Sequence, residues 1–329
     1  MIKTAQNRNL HHAKKAKKDE FYTQLSDIET ELKHYREHFK GKVVYCNCDD
    51  PTVSKFFHYF AYNFKFLGLK KLITSCYKSL EKDLFSRNDS ERAIWLEYDG
   101  EFEENIPDLQ TVGIKHFKSD GDFRNQECIE LLKQADIVAT NPPFSLFREY
   151  VKQLIEYDKK FIIIGNQNAI TYKEIFKWNK ENKLWMGYTS NGRDKLFNVR
   201  GDYAQELVET KKEGSAYRIV DGVIKGRLGN AAWFTNLDIA KRHEELILYK
   251  KYTPEEYPKY DNYDAININK TKEIPADYSG AMGVPISFLD KHNPEQFEII
   301  KFRKGDDDKD LSINGKCPYF RILIKNKKL

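Results

Sequence analysis

The chain has 329 residues, 40% of them hydrophobic and 14% aromatic, which is enough apolar material for one large core or two modest ones and too much for a disordered chain. No apolar run approaches the length of a membrane span, about 18 residues, and the basic N-terminus lacks the apolar stretch of a secretory signal, so a cytoplasmic protein is expected. Lys and Arg total 55 against 50 Asp and Glu, and the net charge of +5 is too mild to establish a polyanionic partner by itself.

In chain order, Lys3, Arg8, Lys14, Lys15, Lys17 and Lys18 precede the first carboxylates. They form a basic arm suited to lie along phosphates, although a solvated tail has the same composition. Four short apolar runs follow: VVYCN (43–47), KLITSCY (71–77), ADIVATN (135–141) and FIIIGN (161–166). Continuous runs of this length predict strands buried on both faces. Between them, 53–64, 127–134 and 146–157 carry apolar residues at helical spacing. Alternation of strand and helix predicts an α/β domain, a largely parallel sheet with helices on both faces, whose ligands bind at the carboxyl ends of the strands.

Residues 81–105 interrupt the pattern with a charged stretch and IWLEYDGEFEEN, read as an inserted hairpin turning at Asp99-Gly100. KLWMGYT (183–189) and AAWFTNL (231–237) flank a second, Gly- and charge-rich insert at 190–229 and are expected to close the sheet as an antiparallel edge pair. Alternation is lost after Asp238, so the division falls between a domain at 1–238 and a smaller mixed region at 239–329. There is no internal repeat. The five cysteines include a lone C-x-C at Cys46 and Cys48 with no second pair or nearby His, so reduced thiols and no metal site are expected.

The chemistry is concentrated in Asn141-Pro142-Pro143-Phe144, which a buried strand delivers to the ligand edge of the sheet. Such a tetrapeptide arises by chance in about one chain in a thousand. The prolines stiffen the backbone and remove two donors, leaving carbonyls as acceptors. That suits an amino-group substrate. An aromatic amine such as adenine N6 is a poor nucleophile, because its lone pair is delocalised. Two acceptors, the Asn141 side-chain oxygen and the Pro142 carbonyl, would each take one of its protons and localise the pair for methyl transfer. Phe144 would stack on the base, which has to leave the helix to be reached.

DEFYTQ (19–24), VVYCNCDDP (43–51), SDGDFR (119–124), TNPPFSLFREY (140–150), TNLD (235–238), YPKYDNYDAIN (257–267) and DLSINGKCPYFRILIKNK (310–327) occur in this order along nearly the whole chain. Together they resemble the EcoRI-type adenine-specific DNA methyltransferases of bacterial restriction-modification systems. The resemblance implies a Rossmann-like fold, S-adenosyl-L-methionine as methyl donor and double-stranded DNA as partner, with GAATTC as a reasonable target and a monomer as the expected state. It implies cofactor contacts from Phe21, Tyr22 and Thr23, from Asn47, Asp49 and Asp50 in the loop after the first strand, and from Asp122 and Phe123. It implies a further stacking face for the target base at Trp233 or Phe234, and makes 239–329 the target-recognition region, with Lys14, Lys15, Lys17, Lys18 and Arg193 as candidate DNA contacts. Two departures stand out: the loop CNCDDPTVS has no glycine, and KLITSCYKS ends without the acid that usually binds the ribose. Asp49 and Asp50 also read as helix caps, Asp120 and Gly121 as a plain turn, and AAWFTNLD as a core strand.

Three rivals remain at this point. The same loop methylates other planar amino groups, such as cytosine N4, RNA adenine or a protein glutamine. A noncatalytic DNA-binding protein on this fold would account for the glycine-free loop. A restriction nuclease would need clustered carboxylates with a Lys for Mg²⁺, and no such segment follows Pro107-Asp108 at a useful spacing.

Overall fold

The computed structural model describes residues 25–51, 54–77, 93–100, 113–189, 195–199, 201–228 and 231–329. The expected contacts at Phe21, Tyr22, Thr23, Lys14, Lys15, Lys17, Lys18 and Arg193 lie outside the described residues. The chain divides into two compact units, Met1–Ala169 with Gly187–Leu237, and Ile170–Met186 with Asp238–Leu329. The second unit thus takes in the stretch from Ile170 to Met186, which composition had left with the first.

In the first unit, β1 (Val43–Asn47), β2 (Lys71–Ser75), β5 (Ile137–Thr140) and β6 (Lys160–Asn166) form a parallel core, flanked by β3 (Ile94–Tyr98), β4 (Lys115–His116) and β11 (Ala231–Thr235). The order is β4-β3-β2-β1-β5-β6-β11. β2, β1, β5 and β6 run parallel, whereas β3, β4 and β11 each pair antiparallel to their neighbours. Every residue of β1 and β5 is buried, as their uninterrupted apolar runs require. The sheet grows one way from β1 to β2 and the other way from β1 to β5, so the gap between the carboxyl ends of β1 and β5 is the switch point where such sheets bind ligands.

The predicted helices form at Lys55–Tyr62, Gln126–Gln134 and Phe147–Glu156. The last buries Phe147, Tyr150, Val151 and Leu154, one apolar stripe, against the sheet. It packs closely on β6 because Gly165 has no Cβ, and one placed there would overlap the Phe147 ring.

The stretch read as an inserted hairpin at 94–105 is different. β3 belongs to the main sheet, in register with β2 from Leu72↔Tyr98 to Ser75↔Trp95, and its other partner is β4. A cross-strand ladder fixes it there: Glu97 accepts from Lys71 at 3.2 Å on one side and from Lys115 at 3.0 Å on the other. The Gly- and charge-rich insert contains a three-stranded antiparallel sheet, β8 (Lys195–Asn198), β10 (Val223–Leu228) and β9 (Tyr217–Val220), with a helix at Gly201–Thr210. Its β9–β10 turn uses Asp221 and Gly222, both at positive φ (51° and 74°), the conformation a two-residue hairpin loop favours.

The second unit holds the short strand β7 (Trp185–Met186) and a mixed sheet of order β12-β13-β15-β14, built from Ala265–Asn267, Ala281–Pro285, Arg321–Asn326 and Phe297–Phe302 respectively. The helix Lys173–Lys180 joins this unit through Phe176, whose ring centroid lies 5.1 Å from that of Phe302. Among the described residues no helix is long and apolar enough to cross a membrane, and the five cysteines are free thiols.

Candidate active site

The loop leaving β1 shows how a glycine-free sequence makes the turn. Cys48 takes φ 66°, the left-handed conformation usually left to glycine, and its amide is held by the Asn47 side-chain Oδ1 at 2.8 Å. Left-handed backbone costs a non-glycine residue about 1–2 kcal/mol, and the surrounding hydrogen bonds hold it. Asn47 Oδ1 also accepts from Ser75 Oγ (3.3 Å), which pairs with the Tyr45 hydroxyl (2.7 Å). Asn47 is 2% exposed and turns inward, so it shapes the loop instead of lining its open side.

Asp49 is buried as well. Its amide donates to the Ser75 carbonyl (2.9 Å) and its carbonyl accepts from Thr74 Oγ1 (2.7 Å). Its carboxyl group meets Thr140 Oγ1 at 2.5 Å and accepts from Ser54 Oγ at 2.7 Å. Ser54 in turn caps the helix Lys55–Tyr62, accepting from the amides of Phe56 and Phe57. Burial pushes the Asp49 carboxyl up to about 7 even though the Thr140 and Ser54 contacts oppose the shift. A site so enclosed does not present Asp49 to a cofactor's ammonium group. Asp50, half-buried beside it, is the acid at the loop's edge.

Thr140 ends β5, and Asn141 to Phe144 follow. Pro142 is buried, while Asn141, Pro143 and Phe144 are half-buried. The Pro143 carbonyl accepts from the Leu146 amide (3.0 Å), closing a turn at Phe144–Leu146 that runs into the helix Phe147–Glu156. The expected tetrapeptide therefore stands at the switch point, one residue beyond the Asp49–Thr140 link.

The same helix brings in the segment 119–124. Phe123 lies edge-on to Tyr150 (5.0 Å, 74°), Gln153 donates to the Phe123 carbonyl at 3.0 Å, and Arg124 reaches Glu149 at 3.0 Å. Gly121 is required here: at φ 73° a Cβ would lie 2.6 Å from the Cys76 carbonyl, so this segment runs close against the end of β2. Both Asp122 oxygens are engaged by Arg124, at 2.8 and 2.7 Å. Phe123 is 4% exposed and packs with the core.

Trp233 and Phe234 do not serve as stacking faces for a base. All five residues of β11 are buried. Trp233 packs on Phe56 (5.8 Å) and Phe234 on Phe147 (4.9 Å). A strand covered on both sides leaves neither ring a free face, which is the core-strand reading of this run.

Sequence reasoning missed Glu31. It is fully buried on the helix Leu25–Leu32 and accepts from the Tyr35 hydroxyl (2.7 Å) and from the amides of Tyr188 (2.6 Å) and Thr189 (2.7 Å). His34 stacks on Tyr188 at 3.4 Å. The available signal was a glutamate three residues after Ile28 and four before Tyr35, on the apolar stripe itself. A second missed residue is Tyr150, fully buried with a hydroxyl that makes no hydrogen bond among the described residues.

The cleft lined by His38, Lys42, Asp136, Asp158 and Lys159 is at the amino ends of β1, β5 and β6, the edge opposite the tetrapeptide. The chemistry is elsewhere. At the carboxyl edge the residues fit S-adenosyl-L-methionine: a tight turn at Cys48 with an acid at its rim, and a second acid-bearing segment that Gly121 brings close to β2.

The family model described as adenine-specific methyltransferase EcoRI matches residues 9–327. The chain is 56% identical over 331 residues to the type II methyltransferase M.EcoRI of Escherichia coli, covering 100% of this chain and 99% of that protein. It is 38% identical over 350 residues to the type II methyltransferase M.MgeORF184P of Mycoplasma genitalium, covering 97% and 100%. It is 37% identical over 342 residues to the type II methyltransferase M.MpnI of Mycoplasma pneumoniae, covering 96% and 98%. No solved structure matches the chain. With the parallel sheet, its switch point and the tetrapeptide that stands there, the chain belongs to the EcoRI family of adenine-specific methyltransferases.

Proposed function

We propose that this enzyme methylates the N6 amino group of an adenine flipped out of duplex DNA, and that it protects DNA in a restriction-modification system. The observation that carries this reading is the contact between Asp49 and Thr140, 2.5 Å. It joins the loop after β1 to the residue before Asn141, so the cofactor side and the amino-group side of the site are built as one piece. The glycine-free loop, the best argument for a noncatalytic protein, makes the required turn through Cys48.

S-adenosyl-L-methionine would supply an electrophilic methyl group on a sulfonium. Asp50 would receive its ammonium group, and Asp122 would accept from its adenine. The Asn141 side-chain oxygen and the Pro142 carbonyl each accept a hydrogen bond from N6, drawing the nitrogen toward tetrahedral geometry and localising its lone pair. The cofactor would give its methyl group to N6 and leave as the thioether, and one N6 proton would pass to solvent. Phe144 covers the flipped base. The proposed target is GAATTC, on the sequence resemblance, and the proposed enzyme is a cytoplasmic monomer whose second unit reads the DNA. Type II in the names of three relatives favours DNA over RNA or protein amino groups.

Asn141→Ala tests the assignment. Turnover should fall by roughly 10²–10³ or more, the range for removing one preorganised polar group that stabilises a transition state, with cofactor and DNA binding measured by calorimetry retained. Near-normal turnover would remove Asn141 from the chemistry.

A further inference from the structure

The buried contacts around Asp49 hold more acceptors than protons if its carboxyl group is ionised. Thr140 Oγ1 carries one proton, and it is within hydrogen-bond reach of two acceptors, the Asn47 carbonyl and Asp49 Oδ2. With a carboxylate, that single proton would be shared between the two acceptors, as the Thr74 proton is between the Cys46 and Asp49 carbonyls. A neutral acid gives each contact at Thr140 its own proton, and no cation faces Asp49 among the described residues. The amides of Phe56 and Phe57 donate to Ser54 Oγ, Ser54 donates to Asp49 Oδ1, Asp49 Oδ2–H donates to Thr140 Oγ1, and Thr140 donates to the Asn47 carbonyl. Each hydroxyl then gives its single proton once, and the donors run in one direction from the cap of the helix to the end of β1.

The surroundings agree. Asp49 is buried, and among the described residues the acid beside it is Asp50, on its own loop, which further disfavours a negative charge on Asp49. The titratable neighbours on other elements are Cys46 of β1 and Tyr150 of the helix Phe147–Glu156, both fully buried and both held above their ordinary values by that burial, hence neutral. β2 contributes the Thr74 hydroxyl, and β5 that of Thr140.

We propose that Asp49 is a positioning residue that works as a neutral acid, its carboxyl proton completing a one-way hydrogen-bond chain that locks the carboxyl end of β5, and with it Asn141, to the loop after β1. Its consequence for turnover rests on the reading of Asn141 as the catalytic asparagine; its protonation does not. The role differs from that of an ammonium receptor, which needs the charge.

Asp49→Asn separates the two, because an amide copies the neutral acid, donating through Nδ2 to Thr140 and accepting at Oδ1 from Ser54. The sign of the pH effect follows from linkage. The Asp49 carboxyl titrates near 7 when folded and near 3.8 ordinarily, so between those values the folded chain holds a proton that the unfolded chain has released. Wild-type stability therefore declines as pH rises from about 4 to about 7 and levels off above. The variant lacks this titration. Its melting temperature should gain on wild type by about 5 °C between pH 5 and pH 8; a constant difference overturns the neutral acid.

At pH 6.5 the dissociation constant for S-adenosyl-L-methionine, by calorimetry, should stay within about three-fold in Asp49→Asn, whereas a rise of about tenfold, 1.4 kcal/mol, or more would restore the ammonium role and overturn the proposal. Thr140→Val, close in shape but without the hydroxyl, should lower the single-turnover rate by about tenfold or more with cofactor affinity kept within about three-fold. An unchanged rate overturns the positioning role. If Asn141→Ala shows that the loop is not catalytic, the melting comparison still decides the protonation of Asp49.

Discussion

The loop that leaves β1 and the segment at 119–124 border the same end of the sheet, yet they are held by different means. The loop is fastened to β2 and β5 by buried hydrogen bonds through Thr74, Ser75 and Thr140. The segment is anchored through the buried Phe123 and the Gln153 hydrogen bond to its carbonyl, but its acid, Asp122, is held by an ion pair with Arg124, whose side chain is 51% exposed and also reaches Glu149. Buried polar links are costly to leave half-made, whereas exposed ion pairs contribute little because water and salt compete for both charges. The proposed methyl-transfer side of the site is thus set before any ligand arrives, while the Asp122 carboxylate can exchange Arg124 for another donor at small cost. The Glu31 anchor belongs with the loop: a buried carboxylate that fixes Tyr188 and Thr189 by their backbone amides.

That contrast can be broken by substitution. Trp233→Ala should be the most damaging, since a ring 1% exposed leaves a cavity that costs roughly 3–5 kcal/mol. Denaturant unfolding measures the loss, and DNA affinity of the folded fraction should be unchanged. Weakened DNA binding at full stability would return Trp233 to the base pocket. Glu31→Ala strands the Tyr35 proton and the Thr189 amide, while the Tyr188 amide keeps the Tyr35 oxygen, and roughly 2–4 kcal/mol should be lost in the same assay. A neutral result would mean that water or a shifted chain satisfies them. Arg124→Ala should cost under about 1 kcal/mol. A loss comparable to that of Glu31→Ala would erase the distinction between the two segments.

How much of this could be read beforehand follows from what each feature depends on. β1, β2, β5 and β6 were legible because two-sided burial demands unbroken apolar runs, and the tetrapeptide was legible because its prolines and its place after a strand are local facts. The assignment of β3 to the main sheet was not, since it depends on Glu97 meeting Lys71 and Lys115 from strands distant in sequence. Trp233 and Phe234 were ambiguous in principle: aromatic residues on a strand suit a core and a stacking pocket equally, and only the neighbours, Phe56 and Phe147, decide. The partners of Asp49 lie five residues away at Ser54 and 91 away at Thr140. Spacing exposes the cap and hides the link, and a carboxylate between the two reads as a cofactor ligand. Membership of 170–186 in the second unit likewise depends on Phe176 finding Phe302.

The central claim is that a strand-borne Asn141 loop methylates adenine in duplex DNA. The direct measurement is to incubate unmethylated plasmid DNA with S-adenosyl-L-methionine and either wild-type protein or Asn141→Ala, then map modified bases by single-molecule sequencing. The account predicts N6-methyladenine at one recurrent site with wild type and none above background with the variant. Modified cytosine, unmodified DNA, or equal methylation by both proteins would contradict it.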